Sequence, residues 1–427
     1  MSEITFIHLS DIHFRKTSGS STDIDEDLRN AILTDIQYNA KKRLKNIKGV
    51  LVGGDIAFAG KREEYDIAKK FLGTLTSYLE IDEKNIYCVP GNHDVDQKVA
   101  QGSRSVYNAQ CEIDNAETLD DADWYFEKHM SDIASPNLLF KPIEEYNNFA
   151  ALYGCNINMD RTYWTADFDL GCSMKLKIRG MNSCIISNHD DHKVKDVDRK
   201  MYIGQSQLPS YESNTIWVSL CHHPVEFWKF AKDIQSRLDK RVDIQLYGHK
   251  HEQFMDINDK RLAINAGATH PTRGRDWMPR YNWISFESHY QGNDKCIRVK
   301  VFSRILSYDR DRFISDQKSC DLEKDYFEYT LNIDKKRRSN LSDNLSGKKE
   351  IKYINANDKM IVNGIKKDIV YHFFELSYIQ QSEILSRLNL FRDEYEGKKY
   401  IEIIETILRD AEKQKCLEEF YTMINGY

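Results

Sequence analysis

Five short polar segments of this 427-residue chain contain residue types that bind metal ions. They read, in order, SDIH at 10–13, GGD at 53–55, GNHD at 91–94, CHHP at 221–224 and GHKH at 248–251. Their imidazoles, carboxylates and amide suit Mn²⁺, Fe, Zn²⁺ or Ni²⁺, and the set lacks the thiolates of structural zinc sites. The set comprises three to four imidazoles, two carboxylates and one amide oxygen. Seven such ligands are too many for one ion and fit two ions that share a carboxylate. Two such cations acidify a bridging water and neutralise phosphate oxygens, which is the chemistry of phosphoester hydrolysis.

Each polar segment follows a short apolar run that we interpret as a β-strand. The predicted strands cover residues 4–9, 49–53, 86–89, 215–221 and 242–247. Predicted helices at 26–45 and 62–80 alternate with the first three strands, and this order indicates a layered α/β sheet. Open α/β sheets place their sites beyond the carboxyl ends of their strands, so we expect the polar residues to converge. Glycine precedes Asp55, Asn92 and His249, which permits a close approach of the backbone to a ligand.

The rest of the chain divides by composition. Further strands are predicted at 173–186, 261–265, 281–287, 296–303 and 325–333. Polar and aromatic segments near 100–165 predict an insertion that caps the sheet edge. We expect a catalytic domain over 1–333, a polar linker over 334–350 and a small all-α bundle over 351–427. The KKRR run at the start of the linker is interpreted as a solvated hinge.

Charge and hydropathy exclude several classes of protein. The net charge of −6 provides no global basic field of the kind that nucleic-acid binders usually have. No apolar run approaches the ~20 residues that span a bilayer, and the first residues lack the pattern of a signal peptide. The nine cysteines contain no CxxC pair and are interpreted as reduced thiols. These features predict a cytoplasmic protein with no membrane contact.

The five motifs together resemble the signature of the calcineurin-like metallophosphoesterases, which reads D-x-H, G-D, G-N-H-[DE], H and G-H-x-H. The resemblance covers roughly residues 1–305 and implies a four-layer α-β-β-α sandwich. It also implies two divalent ions that share Asp55, with Mn²⁺ expected and Fe, Zn²⁺ or Ni²⁺ as alternatives. The ligands implied for one ion are Asp11, His13, Asp55 and His251. The ligands implied for the other are Asp55, Asn92, His222 and His249.

The resemblance also assigns roles to residues beside the ligands. His93 is expected to donate a proton to the leaving group after in-line attack by a hydroxide that bridges the metals. Asp94 is expected to orient His93. The family pattern H-x-P favours His222 over His223 as the ligand, and His223 is left to packing or to a substrate hydrogen bond. We count His93 and Asp94 as catalytic candidates and His223 as a substrate-binding candidate.

The residues within the motifs narrow the range of possible substrates. The arginines of protein Ser/Thr phosphatases, in GDxxDRG and RGNHE, are missing from GDIAFAGKRE and PGNHD. The HHP and GHKH forms resemble the bacterial phosphodiesterase branch, which includes cyclic-nucleotide enzymes and DNA-end nucleases. We therefore predict a phosphodiester hydrolase that acts on a nucleic acid or nucleotide. The alternatives are a phosphomonoesterase of a small metabolite and an inactive metal-binding scaffold that acts through its helical tail. Basic residues near the site loops are Arg15, Lys16, Lys61, Arg62, Arg273, Arg275 and Arg280.

The C-terminal tail loosely resembles the death-like adaptor domains that are appended to effectors of bacterial conflict systems. The shared features are F-x-x-L, a polar helix start, an I-x-x-x-L helix and a final L-x-x-F helix. The resemblance implies an interaction module that recruits the enzyme to a protein partner, often an NTPase, within a bacterial defence system. A plain helical extension of the catalytic domain is the alternative.

Overall fold

Two β-sheets form the centre of the first of two units in this computed structural model. The structure describes residues 3–16, 25–191, 199–258, 261–270, 278–309, 312–338, 369, 373, 378–390, 400–414 and 416–424. The contacts between residues divide the chain into two units, Met1–Asp343 and Asn344–Tyr427.

The strands and helices of the first unit alternate as far as residue 88. Its described strands are β1 (Glu3–Leu9), β2 (Ile47–Val52), β3 (Ile86–Cys88), β4 (Trp164–Gly171), β5 (Met174–Gly180), β6 (Thr215–Leu220), β7 (Ile244–Tyr247), β8 (Phe254–Asn258), β9 (Arg261–Asn265), β10 (Arg280–Gln291), β11 (Asp294–Leu306), β12 (Phe313–Ser315) and β13 (Phe327–Asn332). Its described α-helices are α1 (Glu26–Asp35), α2 (Lys41–Arg43), α3 (Arg62–Leu79), α4 (Gln97–Gly102), α5 (Arg104–Asp114), α6 (Leu119–Met130), α7 (Glu144–Ala150) and α8 (Ala231–Arg241).

The two sheets are mixed, and the strands that lead to the polar motifs are parallel. The first sheet has the order β12-β11-β10-β1-β2-β3, with β13 paired to β11, and the second has the order β4-β5-β6-β7-β9-β8. Strands β1, β2 and β3 run parallel in the first sheet. Strands β5, β6, β7 and β9 run parallel in the second. Parallel neighbours bring their carboxyl ends to one edge of a sheet, so the loops that follow them lie close together.

Apolar side chains fill the space between the sheets. The ring of Phe6 on β1 lies 5.0 Å from the ring of Phe168 on β4 and 6.0 Å from that of Phe286 on β10. The hydroxyl of Ser288 on β10 donates to the carbonyl of Leu170 on β4 at 2.6 Å. Together with the flanking helices this is the four-layer α-β-β-α sandwich expected from the sequence, so that prediction is confirmed.

Helix α3 illustrates how the outer layers form. It buries one apolar stripe, with residues spaced three or four apart as an amphipathic helix requires: Tyr65, Ala68, Phe71, Leu72, Leu75 and Leu79. The carboxylate of Glu64 accepts the backbone N–H of Lys61, which satisfies a donor that the first turn leaves unpaired. The helix ends at Leu79, and the φ of 57° at the next residue, Glu80, lies in the left-handed region.

The insertion is helical, although the sequence analysis found no regular pattern over 100–165. Helices α4 to α7 are short, and each presents only a few buried apolar residues, which is why their period is hard to read. Helix α5, for example, buries Val106, Ala109 and Ile113. The aromatic residues of α7 are core, since Tyr146 is fully buried and its hydroxyl donates to the carbonyl of Cys88 at 3.0 Å.

The expectation of a solvated hinge is wrong for the described part of the KKRR run. Residues 333–338 are helical. The ammonium of Lys336 has no exposed surface and lies 2.7 Å from a carboxylate oxygen of Asp243, which is also buried. Arg337 pairs with the other oxygen of Asp243 at 3.0 Å. A buried carboxylate needs such partners, so this segment is held against the end of α8 and the start of β7. The remainder of the predicted linker, 339–350, lies outside the described residues.

The second unit has an apolar core of its own. Its described helices are α9 (Tyr378–Arg387), α10 (Tyr400–Lys413) and α11 (Leu417–Ile424). Their buried side chains include Ile384, Leu385, Ile407, Ala411, Phe420 and Ile424. The ring of Phe373 lies 5.6 Å from that of Phe420. Helices that bury one face against each other in this way form the predicted C-terminal bundle.

Among the described residues, no helix is both long enough and apolar enough to cross a bilayer. All nine cysteines are free thiols.

Candidate metal centre

The loops that follow β1, β2, β3, β6 and β7 bring all seven predicted ligands to one place. Four overlapping groups have candidate ligand atoms within 4.8 Å of one another. These groups are Asp11/His13/His251, His13/Asp55/His93, Asp11/Asp55/His222 and His222/His223/His249. Asp55 belongs to two of them, one with His13 and His93 and the other with Asp11 and His222.

Five of the seven predicted ligand residues have left-handed backbone conformations, which non-glycine residues rarely adopt. Their φ angles are 54° at Asp11, 52° at His13, 51° at Asp55, 69° at His249 and 61° at His251. Strain of this kind persists only where surrounding contacts hold it, and it concentrates at functional sites. Here the contacts are backbone hydrogen bonds between the loops, such as His13 N–H to Asp55 O at 2.9 Å and Gly248 N–H to His222 O at 2.9 Å.

The first half of the centre surrounds Asp11 and His13. Nε2 of His251 lies 3.3 Å from Oδ1 of Asp11. Nε2 of His13 lies 3.7 Å from Oδ2 of Asp55. The hydroxyl of Ser10 donates to Oδ2 of Asp11 at 2.6 Å and fixes that carboxylate. The sequence analysis did not select Ser10, and its place directly before the D-x-H motif was the only signal for it.

The second half surrounds His222 and Asn92. Nε2 of His222 lies 3.4 Å from Oδ2 of Asp55 and 3.2 Å from the side-chain oxygen of Asn92. Nδ1 of His249 lies 3.2 Å from the same amide oxygen. Nδ1 of His222 lies 2.9 Å from the carbonyl of Gly53. A carbonyl can only accept, so Nδ1 donates to it, and Nε2 is the nitrogen that faces the centre and would bind a metal after losing its own proton.

Glycines allow the loops to approach each other. A Cβ at Gly91 would lie 2.2 Å from Oδ1 of Asp55, and a Cβ at Gly54 would lie 2.6 Å from Nδ1 of His222. At Gly248 a Cβ would lie 2.2 Å from the hydroxyl oxygen of Ser10. These glycines precede Asn92, Asp55 and His249, as the sequence analysis expected.

The charges of the centre fit divalent cations. Burial disfavours the charged carboxylates, yet His222, His93 and other imidazoles hold the pKa of Asp55 well below its usual range. Burial opposes a charge on His222, but Asp55 and Asp11 raise its pKa to about 9. In the described part of the chain, the ion-pair partners of Asp11 and Asp55 are all histidines. The carboxylates therefore attract positive charge, and metal ions bound there would supply it in place of the proton on His222.

His93 lies beside the ligands. Its backbone N–H donates to Oδ1 of Asp55 at 2.8 Å. Its Nδ1 lies 2.8 Å from the carbonyl of Phe58, and its ring lies 5.4 Å from the ring of Phe58. Since that carbonyl accepts a hydrogen bond from Nδ1–H, Nε2 is the ring nitrogen left to exchange a proton with a bound molecule. Phe58 was not selected from the sequence.

Asp94 has a different contact from the one expected. The sequence analysis has Asp94 orient the His93 ring, whereas the structure gives that contact to the carbonyl of Phe58. Asp94 accepts the backbone N–H groups of Ile56, Ala57 and Gly91 and the hydroxyl of Tyr65. It therefore ties the loop after β2 to the loop after β3. Burial, together with Asp55, raises the pKa of Asp94 to about 6.

His223 is buried behind the ligands. Its Nδ1 lies 2.7 Å from the hydroxyl of Ser183, and its ring lies 4.4 Å from that of His249. His222, rather than His223, lies within 3.4 Å of Asp55. The geometry thus favours His222 as the ligand and leaves a substrate contact by His223 as a prediction.

Of the five described basic residues proposed near the site, three pair with carboxylates. Lys16 pairs with Glu63, Lys61 with Asp96 and Arg280 with Asp316. Arg62 lines a cavity of about 250 Å³ beside Tyr65 and Asp66. The guanidinium of Arg15 lies 3.7 Å from the centre of the Phe58 ring. Arg273 and Arg275 lie outside the described residues.

Profiles of two protein families match this chain. The profile of the calcineurin-like phosphoesterases matches residues 4–253, which is more than half of the chain. This chain belongs to the calcineurin-like phosphoesterase family. The five motifs resemble this family, and the candidate His/Asp metal sites lie within the matched residues. A second profile, that of the GTPase-associated adaptor domain, matches residues 365–426.

Individual relatives of this chain are distant in sequence. An uncharacterized metallophosphoesterase-like protein of Bacillus subtilis (strain 168), YydB, is 20% identical over 263 residues. That alignment covers 60% of this chain and 50% of YydB, so the chain spans about half the length of this curated relative.

Two solved structures are also similar. A conserved protein of Streptococcus pneumoniae TIGR4, described as a predicted phosphoesterase, is 13% identical, with 77% of this chain and 99% of that chain covered and a TM-score of 0.29. A putative 5'-nucleotidase of Staphylococcus aureus is 13% identical, with 80% of this chain and 58% of that chain covered and a TM-score of 0.36.

The close approach of Gly91 to Asp55 generates a prediction. Gly91→Ala is expected to displace the Asp55 carboxylate, because a Cβ cannot lie 2.2 Å from its oxygen. Two-metal binding should fall to at most one ion per chain in a Mn²⁺ titration by calorimetry. Gly102→Ala is the matched control, since its Cβ would meet nothing within 4 Å. Full two-metal binding by Gly91→Ala would contradict the account of how Asp55 is positioned.

Proposed function

We propose that this protein hydrolyses phosphodiester bonds of a nucleic acid or nucleotide and uses two divalent cations, with Mn²⁺ the expected metal. The observation that carries the proposal is the position of Asp55 between the two halves of the centre. Oδ2 of Asp55 lies near His222 on one side and His13 on the other, and Oδ1 accepts the N–H of His93. One carboxylate thereby links both ligand sets to the residue proposed as the acid.

Different residues of the chain would have different roles in the hydrolysis. Asp11, His13, Asp55 and His251 would hold one cation, and Asp55, Asn92, His222 and His249 the other. When bound, such a pair acidifies water and neutralises phosphate oxygens. His93, with Nδ1 held by Phe58, would donate the proton from Nε2 to the departing oxygen. Asp94 would keep Asp55 and His93 in place through the amides of both loops.

The charge around the centre supports a diester. A phosphomonoester carries about two negative charges near neutral pH, and enzymes commonly meet them with additional arginines or lysines. In the described part of the chain, Asp11 and Asp55 pair only with histidines, Lys16 and Lys61 are neutralised by Glu63 and Asp96, and Arg15 and Lys200 lie over the rings of Phe58 and Phe227. A diester carries a single negative charge, for which two cations and one imidazolium suffice.

The role of His93 generates a prediction that depends on the leaving group. His93→Ala should lose about 10²–10⁴ in kcat on a dinucleotide, because an alkoxide must be protonated as it departs. The loss should be much smaller on bis-p-nitrophenyl phosphate, because p-nitrophenolate departs without a proton. His129→Ala is the control: His129 lies on α6 and pairs with Glu112. Equal losses on both substrates would contradict the acid role.

The same assay distinguishes the proposed phosphodiesterase from the two alternatives, a phosphomonoesterase and an inactive scaffold. Wild type with Mn²⁺ should hydrolyse the diester faster than p-nitrophenyl phosphate, and Asp55→Asn should abolish both activities. Preference for the monoester would favour a phosphomonoesterase of a small metabolite. No turnover of either substrate, with metal bound, would favour the scaffold hypothesis.

We further propose that the C-terminal unit recruits the enzyme to a GTPase partner, as an effector of a bacterial defence system. Support comes from the match of residues 365–426 to the GTPase-associated adaptor domain. The separate apolar core of this unit, with Phe420 fully buried, is what an independent binding module needs.

Disruption of that core tests the recruitment. Phe420→Asp in the full chain buries an unpaired charge, which should unfold the bundle. The wild-type chain should retain a protein that a GTP photoaffinity analogue labels, and the Phe420→Asp chain should lose it. Hydrolysis of bis-p-nitrophenyl phosphate serves as the check that the catalytic unit is intact. Equal labelling with both chains would contradict a role of the bundle in binding a GTPase.

A further inference from the structure

Two aromatic rings flank the metal centre, one against each half. The ring of Phe58 lies 5.4 Å from that of His93 and 6.2 Å from that of His13. The ring of Phe227 lies 4.5 Å from that of His249, edge to face, and 6.3 Å from that of His223. The histidines beside one ring are different residues from those beside the other, so each ring lies against a different half of the centre.

Each ring has a cation beside it. The guanidinium carbon of Arg15 lies 3.7 Å from the centre of the Phe58 ring, and the Phe58 residue is 37% exposed. The ammonium of Lys200 lies 5.7 Å from the centre of the Phe227 ring.

These two cations differ from their basic neighbours. Within the described residues, neither Arg15 nor Lys200 forms a salt bridge, although Lys200 donates to the carbonyl of Glu226 and its charge helps to lower the pKa of that carboxylate. The neighbouring Lys250 pairs with the carboxylate of Glu226 at 2.6 Å. An exposed cation beside an aromatic ring and outside any salt bridge is suited to bind an anion that arrives with a substrate.

Such pairs match the parts of a nucleotide. Bases stack on aromatic rings and on guanidinium planes, and lysine and arginine bind the phosphates between them. A phosphomonoester has an organic group on only one side of the reacting phosphorus. A phosphodiester within a strand has a nucleoside on both sides. One aromatic–cation pair against each half of the centre is therefore the arrangement that a strand needs.

We propose that the Arg15–Phe58 pair and the Lys200–Phe227 pair are two nucleotide subsites on either side of the scissile phosphate, and that the substrate is a single-stranded nucleic acid. This inference rests on the proposed phosphodiesterase function and specifies its substrate. A duplex is excluded because its bases are stacked on each other and do not offer their faces to protein rings.

Binding to a labelled strand tests the subsites without requiring turnover. A fluorescein-labelled single-stranded DNA of about ten nucleotides is titrated with the full chain and followed by fluorescence anisotropy. Arg15→Ala and Lys200→Ala should each raise Kd about tenfold, as expected for loss of one stacking or phosphate contact. Each should also reduce the slope of log K against log salt by about 0.7, the value for one phosphate contact on a single strand.

A matched control is an aromatic–cation pair on the insertion. Trp124 on α6 is 58% exposed, and the ammonium of Lys128 lies 5.4 Å from its ring. Trp124→Ala should leave Kd unchanged. Wild-type affinity in Arg15→Ala and Lys200→Ala, an equal loss in Trp124→Ala, or equally tight binding of the duplex would each overturn the subsites.

Hydrolysis of the same strand separates this inference from the function it rests on. If the variants weaken strand binding but wild type hydrolyses no diester with Mn²⁺, the subsites stand and the phosphodiesterase proposal fails. If wild type hydrolyses bis-p-nitrophenyl phosphate and the variants change strand and small substrate by the same factor, the phosphodiesterase stands and the subsites fail.

Discussion

Asp55 is a carboxylate with 1% of its surface exposed, and both halves of the metal centre depend on it. A buried carboxylate is costly unless charge and hydrogen bonds compensate it. Here the compensation comes from the N–H of His93 and from the imidazoles of His222 and His13. The surrounding loops accept left-handed backbone at five positions to bring those groups together. The two sheets stabilise this unfavourable backbone conformation, because the parallel strands fix where each loop begins.

Asp94 is not a predicted metal ligand, but it helps to hold the loops around Asp55 in place. It accepts amides from the loops after β2 and β3, and the hydroxyl of Tyr65 on α3. The ring of Tyr65 stacks at 5.1 Å on that of Phe149 in the insertion. The insertion therefore supports the centre through a continuous set of contacts, in addition to covering the end of the sheet.

The motifs and the strands before them were predictable, because buried strands are short apolar runs and metal ligands are few in type. Strand β9 was predicted at its observed bounds, and β1 to within one residue. The left-handed backbone at His13 and Asp55 was not predictable, since it depends on hydrogen bonds between loops that are distant in sequence. The burial of Lys336 was also not predictable from the sequence, because its partner Asp243 is 93 residues away. Strand β8 was missed because it lies at a sheet edge and leaves Phe254 and Ile257 exposed.

The central claim is that Asp55 is shared by two metal ions, and anomalous diffraction from crystals of the full chain grown with Mn²⁺ tests it most directly. The account predicts two manganese peaks per chain, both beside the Asp55 carboxylate. One should lie among Asp11, His13 and His251, and the other among Asn92, His222 and His249. A single peak, or a second peak away from Asp55, would contradict the shared carboxylate.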